Sequence, residues 1–244
     1  MDNEARRALL RQLRNTPIEA PDRAFPHAVN IPSATYAPWA ADAKFCRAYD
    51  AARHHTLVDV YRCYELWSLV RCQREVPGDI LEVGTWRGGT GSLLCGACAQ
   101  ESVKRTVFLC DTFKGVVKAG DKDTSYKGGE HADASRDIVE AFLTKLGLAN
   151  ARILTGVFPD ETGSEIADRH FALCHIDVDV YASARDVFDW VAPRLSRFGI
   201  VVFDDYGFLG CEGITRLVQE LAADRRFFTF FNLNGHAVML KLES

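Results

Sequence analysis

The sequence predicts an α/β domain on a doubly wound, mostly parallel sheet of seven strands, with a helical and extended appendage ahead of it. Three observations predict this. Hydrophobic runs end in acid at HIDVDVY (175–181) and again at VVFDDYG (201–207), with a helix-length segment between them. A third run, DILEV (79–83), empties into the glycine loop GTWRGG (84–89) and then a helical stretch. Near the end, two apolar runs (227–231 and 237–240) flank Asn234-Gly235, a hairpin signal that closes the sheet antiparallel.

In chain order, residues 2–14 suit a short helix with Leu9, Leu10 and Leu13 on one side. Pro17, Pro21, Pro26, Pro32 and Pro38 then forbid a long helix and favour an extended arm. Phe25, Tyr36 and Trp39 suit that arm for docking on the catalytic domain or on a partner subunit. A helical region at about 41–75 is expected to pack on the sheet, so 1–76 reads as appendage and 77–244 as catalytic domain. Strands are expected at 79–83, 106–110, 152–154, 171–176 and 199–203. Helices are expected at 90–100, 135–146, 164–168, 181–197 and 212–223, with Pro193 shortening the fourth. The run 114–133 is polar and glycine-containing after Val117, which suits a lid over the adjacent site or a solvated insertion.

Composition narrows the function classes. A net charge of −4 and pI near 6.0 leave no basic footprint for nucleic acid. No apolar run reaches membrane-spanning length. The N-terminus lacks the apolar core of a signal peptide, and Asp2 and Glu4 among its arginines count against a transit peptide, so a cytoplasmic protein is expected. Cys95 and Cys98 form a CxxC inside a helical run, with no second pair to complete a zinc site; they read as small buried hydrophobes.

The chemistry concentrates in the acids. In a strand–helix–strand unit the two strands lie parallel, so Asp177, Asp179, Asp204 and Asp205 would crowd one rim of the sheet. That repulsion calls for a cation or a proton. Oxygen donors without a well-placed Cys or His pair fit magnesium, manganese or calcium better than zinc. A single strand-end Asp can equally cap the next turn. Asp179 is two residues beyond Asp177, the spacing that strand alternation would aim at the same pocket. His175, inside the strand, reads as a hydrogen-bonded core histidine. At the glycine loop, Trp86 occupies a position where a pyrophosphate-binding fingerprint needs glycine, which disfavours NAD. A cofactor without phosphates tolerates it. Glu82 suits a ligand with an amino group or hydroxyls, and Asp111, closing the next strand, suits two ribose hydroxyls.

Taken together, PGDILEVGTWRGG (77–89), DTFKG (111–115), HIDVDVY (175–181) and FDDYG (203–207) resemble the class I S-adenosylmethionine-dependent methyltransferases. More narrowly they resemble the macrocin O-methyltransferase family, bacterial enzymes that methylate sugar hydroxyls of natural products, including antibiotics. The resemblance covers about 77–241. It implies S-adenosyl-L-methionine and Mg2+ as cofactors, with Asp177, Asp204 and Asp205 as metal ligands and Asp179 as general base. It implies cofactor contacts at Glu82, Gly84, Thr85, Trp86, Asp111, Thr112 and Phe113. The expected substrate is a small-molecule glycoside or sugar, handled by a homo-oligomer with no nucleic acid or membrane partner. Two alternatives stay open: metal-dependent methylation of a catechol or other vicinal diol, and a catalytically silent adenosine-binding or assembly protein.

Overall fold

The computed structural model describes residues 2–101 and 104–243. By compactness the chain divides into Met1–Pro38 and Trp39–Ser244. In the first unit, helix α1 (Asn3–Leu13) starts at Asp2, whose side chain accepts the Ala5 N–H at 2.8 Å. Strands β1 (Pro17–Ile18) and β2 (His27–Ala28) then pair antiparallel. Arg14 ties the unit together by donating Nε–H to the Ile31 carbonyl at 2.9 Å.

The second unit begins with α2 (Ala43–Ala52) and α3 (Val60–Cys72), each capped by an aspartate, Asp42 and Asp59. The expected helical region is thus broken at 53–59. Both helices pack with the sheet, as expected of the 41–75 region. Their apolar residues Phe45, Leu66, Trp67 and Val70 share one core with Ile80, Leu109 and Leu173 of the strands.

The sheet holds β3 (Asp79–Val83), β4 (Val107–Asp111), β5 (Ala151–Thr155), β6 (Phe171–Ile176), β7 (Leu195–Phe203), β8 (Phe227–Phe231) and β9 (Ala237–Lys241). Its order is β5-β4-β3-β6-β7-β9-β8; the first five in this order are parallel, and β9 pairs antiparallel with both β7 and β8. This is the expected seven-stranded, mostly parallel, doubly wound sheet. One face carries α2, α3, α4 (Gly89–Cys98) and α5 (Arg136–Lys145). The other carries α6 (Tyr181–Val191) and α7 (Glu212–Leu221). β6 is buried along its whole length, as a central parallel strand must be.

The helix from Tyr181 stops at Val191, and Pro193, expected to shorten it, sits in the 3₁₀ turn Ala192–Arg194 that follows; β7 starts at Leu195 rather than Gly199. Proline lacks the N–H that an α-helix interior requires, which accounts for the early stop. Around 164–168 there is only a 3₁₀ turn, Gly163–Ile166.

Strand order reverses between β3 and β6, and there the strand ends line up. Asp177 donates its N–H to the Val83 carbonyl, and Asp204 to the Ile176 carbonyl, both at 2.9 Å. Gly84, Asp177 and Asp204 therefore stand side by side at the switch point, where open α/β sheets bind ligands.

Candidate active site

A cavity opens over these strand ends. Gly84, Thr85, Trp86, Asp111, Thr112, Asp177, Asp179, Asp204 and Asp205 all line it. Glu82 and Phe113 do not. Glu82 is fully buried, accepts from Thr85 Oγ1 at 3.1 Å and faces His175 Nδ1 at 3.1 Å. It therefore supports the loop from behind rather than presenting an acid to the cavity. His175 is the buried, hydrogen-bonded histidine expected. Phe113 packs on the core, and its N–H donates to Asp111 Oδ1 at 2.7 Å.

The glycine loop is held by Asp111, whose other oxygen accepts the Trp86 N–H at 2.7 Å. Burial pushes the Asp111 carboxyl up, against the pull of those N–H groups. Trp86 sits at φ 47 and donates Nε1–H to Asp133 at 2.7 Å, so the loop is tied to the end of the 114–133 segment. Gly84, at φ +96, has a different reason to be glycine from close approach of a cofactor. A Cβ there would lie 1.6 Å from the Asp177 carbonyl oxygen.

Asp177, Asp204 and Asp205 offer carboxylate oxygens within 4.8 Å of one another. The geometry behind the Asp177–Asp179 pair differs from strand alternation. β6 ends at Ile176, and the Val180 N–H donates to the Val178 carbonyl at 2.7 Å across Asp179, which sits at φ 63. A three-residue turn, not an extended strand, brings Asp179 back to the acids. Asp205 is likewise left-handed, at φ 61; aspartate visits this region more readily than most residues.

Electrostatics separates the four. Burial, then the neighbouring acids, pushes Asp177 and Asp205 well above the usual carboxylate range. Burial also raises Asp179, although Tyr126 and His131 pull the other way. Asp204 is buried too, yet it is held below the usual range because His236 and Arg62 outweigh desolvation. Arg62 Nη1 donates to Asp204 Oδ1 at 2.5 Å, and His236 Nε2 lies 3.2 Å from the same oxygen. On its other side His236 Nδ1 meets Glu65 at 2.7 Å, and Glu65 also accepts from Asn232.

Sequence reasoning missed these partners. The break between α2 and α3 puts His55, Thr56, Leu57 and Val58 into the cavity wall, where the Gly89 N–H donates to the His55 carbonyl at 2.9 Å. One signal existed: Arg62 and Glu65 are charges interleaved with the buried stripe Cys63, Leu66, Trp67 and Val70. From the 114–133 segment, Tyr126 and His131 reach the cavity.

A model of the macrocin-O-methyltransferase (TylF) family matches residues 47–229. The chain belongs to that O-methyltransferase family. Mycinamicin III 3''-O-methyltransferase of Micromonospora griseorubida is 31% identical over 171 residues, 64% of this chain and 67% of that protein. An enzyme of Streptomyces olivaceus, 8-demethyl-8-(2,3-dimethoxy-alpha-L-rhamnosyl)-tetracenomycin-C 4'-O-methyltransferase, is 31% identical over 169 residues, 64% of each chain. The chain thus spans about two thirds of the length of these curated relatives. Among solved structures, the O-methyltransferase NovP superimposes with a TM-score of 0.67 at 26% identity, covering 78% of this chain and 83% of its own. The family's methyl donor is S-adenosylmethionine. Among the described residues no helix is long and apolar enough to cross a membrane.

Proposed function

We propose that this protein transfers a methyl group from S-adenosylmethionine to a hydroxyl of a sugar on a natural product, with a divalent cation, magnesium by preference, at Asp177, Asp204 and Asp205. The observation that carries the reading is the convergence of three strand-end carboxylates in the cavity that also holds the glycine loop and Asp111. The residues suit a hard cation. Asp204 Oδ2 and Asp205 Oδ2 are buried without a hydrogen-bond partner, a costly state that a cation would relieve. The activities of the relatives, a mycinamicin III 3''-O-methyltransferase and a rhamnosyl-tetracenomycin-C 4'-O-methyltransferase, support the substrate class.

The sulfonium of the donor supplies the methyl group, and a bound cation would lower the pKa of the acceptor hydroxyl. Gly84, Thr85, Trp86, Asp111 and Thr112 would hold the donor, with Asp111 free to accept ribose hydroxyls through its remaining lone pairs. Glu82 acts through Thr85, and Phe113 fixes the loop by packing. Asp179 takes the hydroxyl proton as the oxygen forms its bond to the methyl carbon and the sulfur–carbon bond breaks in line. Tyr126 and His131 line the cavity beside it.

Turnover of a glycoside panel with and without a chelator tests the reading. Activity lost on chelation and restored by Mg2+ is expected. Undiminished methyl transfer by metal-free protein rejects the metal assignment, and transfer only to catechols shifts the acceptor class.

A further inference from the structure

The arginine beside the acids does more than neutralise them. Arg62 Nη1 lies 2.5 Å from Oδ1 of Asp204 and 3.7 Å from Oδ1 of Asp205. The opposite oxygens, Oδ2 of each, are the buried ones without a hydrogen-bond partner. His236 Nε2 lies 3.2 Å from the same Asp204 Oδ1. Oδ1 of each carboxylate therefore faces the arginine, and Oδ2 is left for a ligand.

Arg62 is itself immobilised. It is 5% exposed, its Nε–H donates to Asp59 Oδ2 at 2.9 Å, and its guanidinium lies 4.5 Å from the centre of the Phe208 ring. Asp59 Oδ1 meanwhile accepts the Tyr61 and Arg62 N–H groups at the start of α3. The residue that starts the helix also aims the arginine.

We infer that Arg62 is a positioning residue that sets how the paired aspartates meet an ion. By hydrogen-bonding Asp204 Oδ1 and lying 3.7 Å from Asp205 Oδ1 it works against a two-oxygen grip, at Asp204 above all, which favours a small octahedral dication over calcium. The physical reason lies in coordination number. Calcium takes six to eight oxygens and gains from carboxylates that grip with both, whereas magnesium demands six near-ideal positions and takes one oxygen from each carboxylate. A carboxylate oxygen already bonded to a guanidinium is poorly placed to give the second grip.

This inference rests on the proposed metal site, and the test separates the two. Metal-free protein is titrated calorimetrically with Mg2+ and with Ca2+, as wild type, Arg62→Met and Arg62→Lys. Losing a positive charge strengthens binding of both dications alike, so it cancels in the ratio of the two dissociation constants; only a change in the oxygens on offer moves the ratio. Arg62→Met is expected to shift the ratio toward calcium on the order of tenfold. Arg62→Lys keeps the charge but its single ammonium cannot hold Asp59 and Asp204 at once as Nε and Nη1 do, and is expected to shift it in the same direction by less. Near-ultraviolet circular dichroism and melting establish which variants are folded. A folded variant of either kind with the wild-type ratio overturns the inference and leaves the metal site standing. A folded wild type that binds neither ion overturns the metal site, and the role of Arg62 with it.

Discussion

Asp123 Oδ1 accepts the backbone N–H of Tyr181 at 2.9 Å, so a loop residue caps a helix 58 positions downstream. Helix α6 has no side-chain cap of its own, because its N-cap residue is Val180. Nearby, Ser183 Oγ donates to the Val117 carbonyl at 2.7 Å, and Lys118 bridges Asp160 and Asp186 at 2.7 and 2.6 Å. Thr124 bonds Glu212 at the start of α7. Residues 117–124 are thus pinned to α6 and α7, while Val116 pairs with Gly129 and Glu130 through backbone hydrogen bonds at 2.9 Å, and Tyr126 and His131 line the cavity.

Removing that cap should loosen the segment. Asp123→Ala is expected to cost about 1 kcal/mol, as helix caps do, and to speed hydrogen exchange at residues 181–184. Gly213→Ala should do the same with Asp123 still in the sequence, since its Cβ would lie 2.1 Å from Asp123 Oδ1 and push it off the Tyr181 N–H. Exchange across 114–133 should slow when donor and acceptor are both bound. Unchanged exchange at 181–184 in both variants would show that the cap holds nothing.

The two neighbouring acids should fail differently. Asp177→Asn keeps an oxygen but loses its charge, so Mg2+ affinity should fall and excess metal recover part of the rate. Asp179→Asn should bind Mg2+ normally and lose roughly 10²–10⁴-fold in kcat, the range for loss of a general base. Raising the pH should recover part of that loss. Mg2+ titrations and kcat against pH for both variants decide the matter; loss of Mg2+ binding in Asp179→Asn alone would reverse the assignment.

His236 should make the metal-free protein less stable in alkali. Burial lowers its pKa, but the carboxylates of Asp204 and Glu65 outweigh that and raise it from 6.5 to about 9. A folded-state pKa above the unfolded value contributes stability that is complete below pH 6.5 and disappears as pH climbs through about 9. The Tm of chelated protein should therefore fall across that window, and His236→Gln should flatten the fall. Parallel profiles for the two proteins would remove the imidazolium from the account.

Gly84 should tolerate no side chain. Gly84→Ala places a Cβ 1.6 Å from a backbone oxygen at φ +96, and the expected result is a loss of more than about 3 kcal/mol or failure to fold. Gly120→Ala, where nothing lies within 4 Å, should be near neutral. Denaturant melts of both check the contrast; a stable Gly84→Ala would mean that β3 and β6 can part without cost.

Much of this architecture was legible locally. The runs 79–83 and 171–176 became strands with those bounds, because a continuous apolar stretch that meets glycine or acid can neither extend its buried run nor fit a helix of that length. The acids at 177, 204 and 205 were readable as strand-end residues for the same reason. The 114–133 segment, by contrast, was readable only as a polar stretch; which part is pinned depends on α6 and α7.

Residue order by itself therefore determined the elements, their alternation and the acid-tipped edge, since those follow from spacing along the chain. Tertiary structure alone decided what each acid does. Strand order put Asp204 beside Asp177, a left-handed turn rather than strand alternation returned Asp179 to the pocket, and a buried contact turned Glu82 away from it. Arg62 and Glu65 come from a helix more than a hundred positions upstream of the oxygen and imidazole they hold. A buried charge is stable only where partners surround it, and those partners are chosen by how strands and helices stack in space.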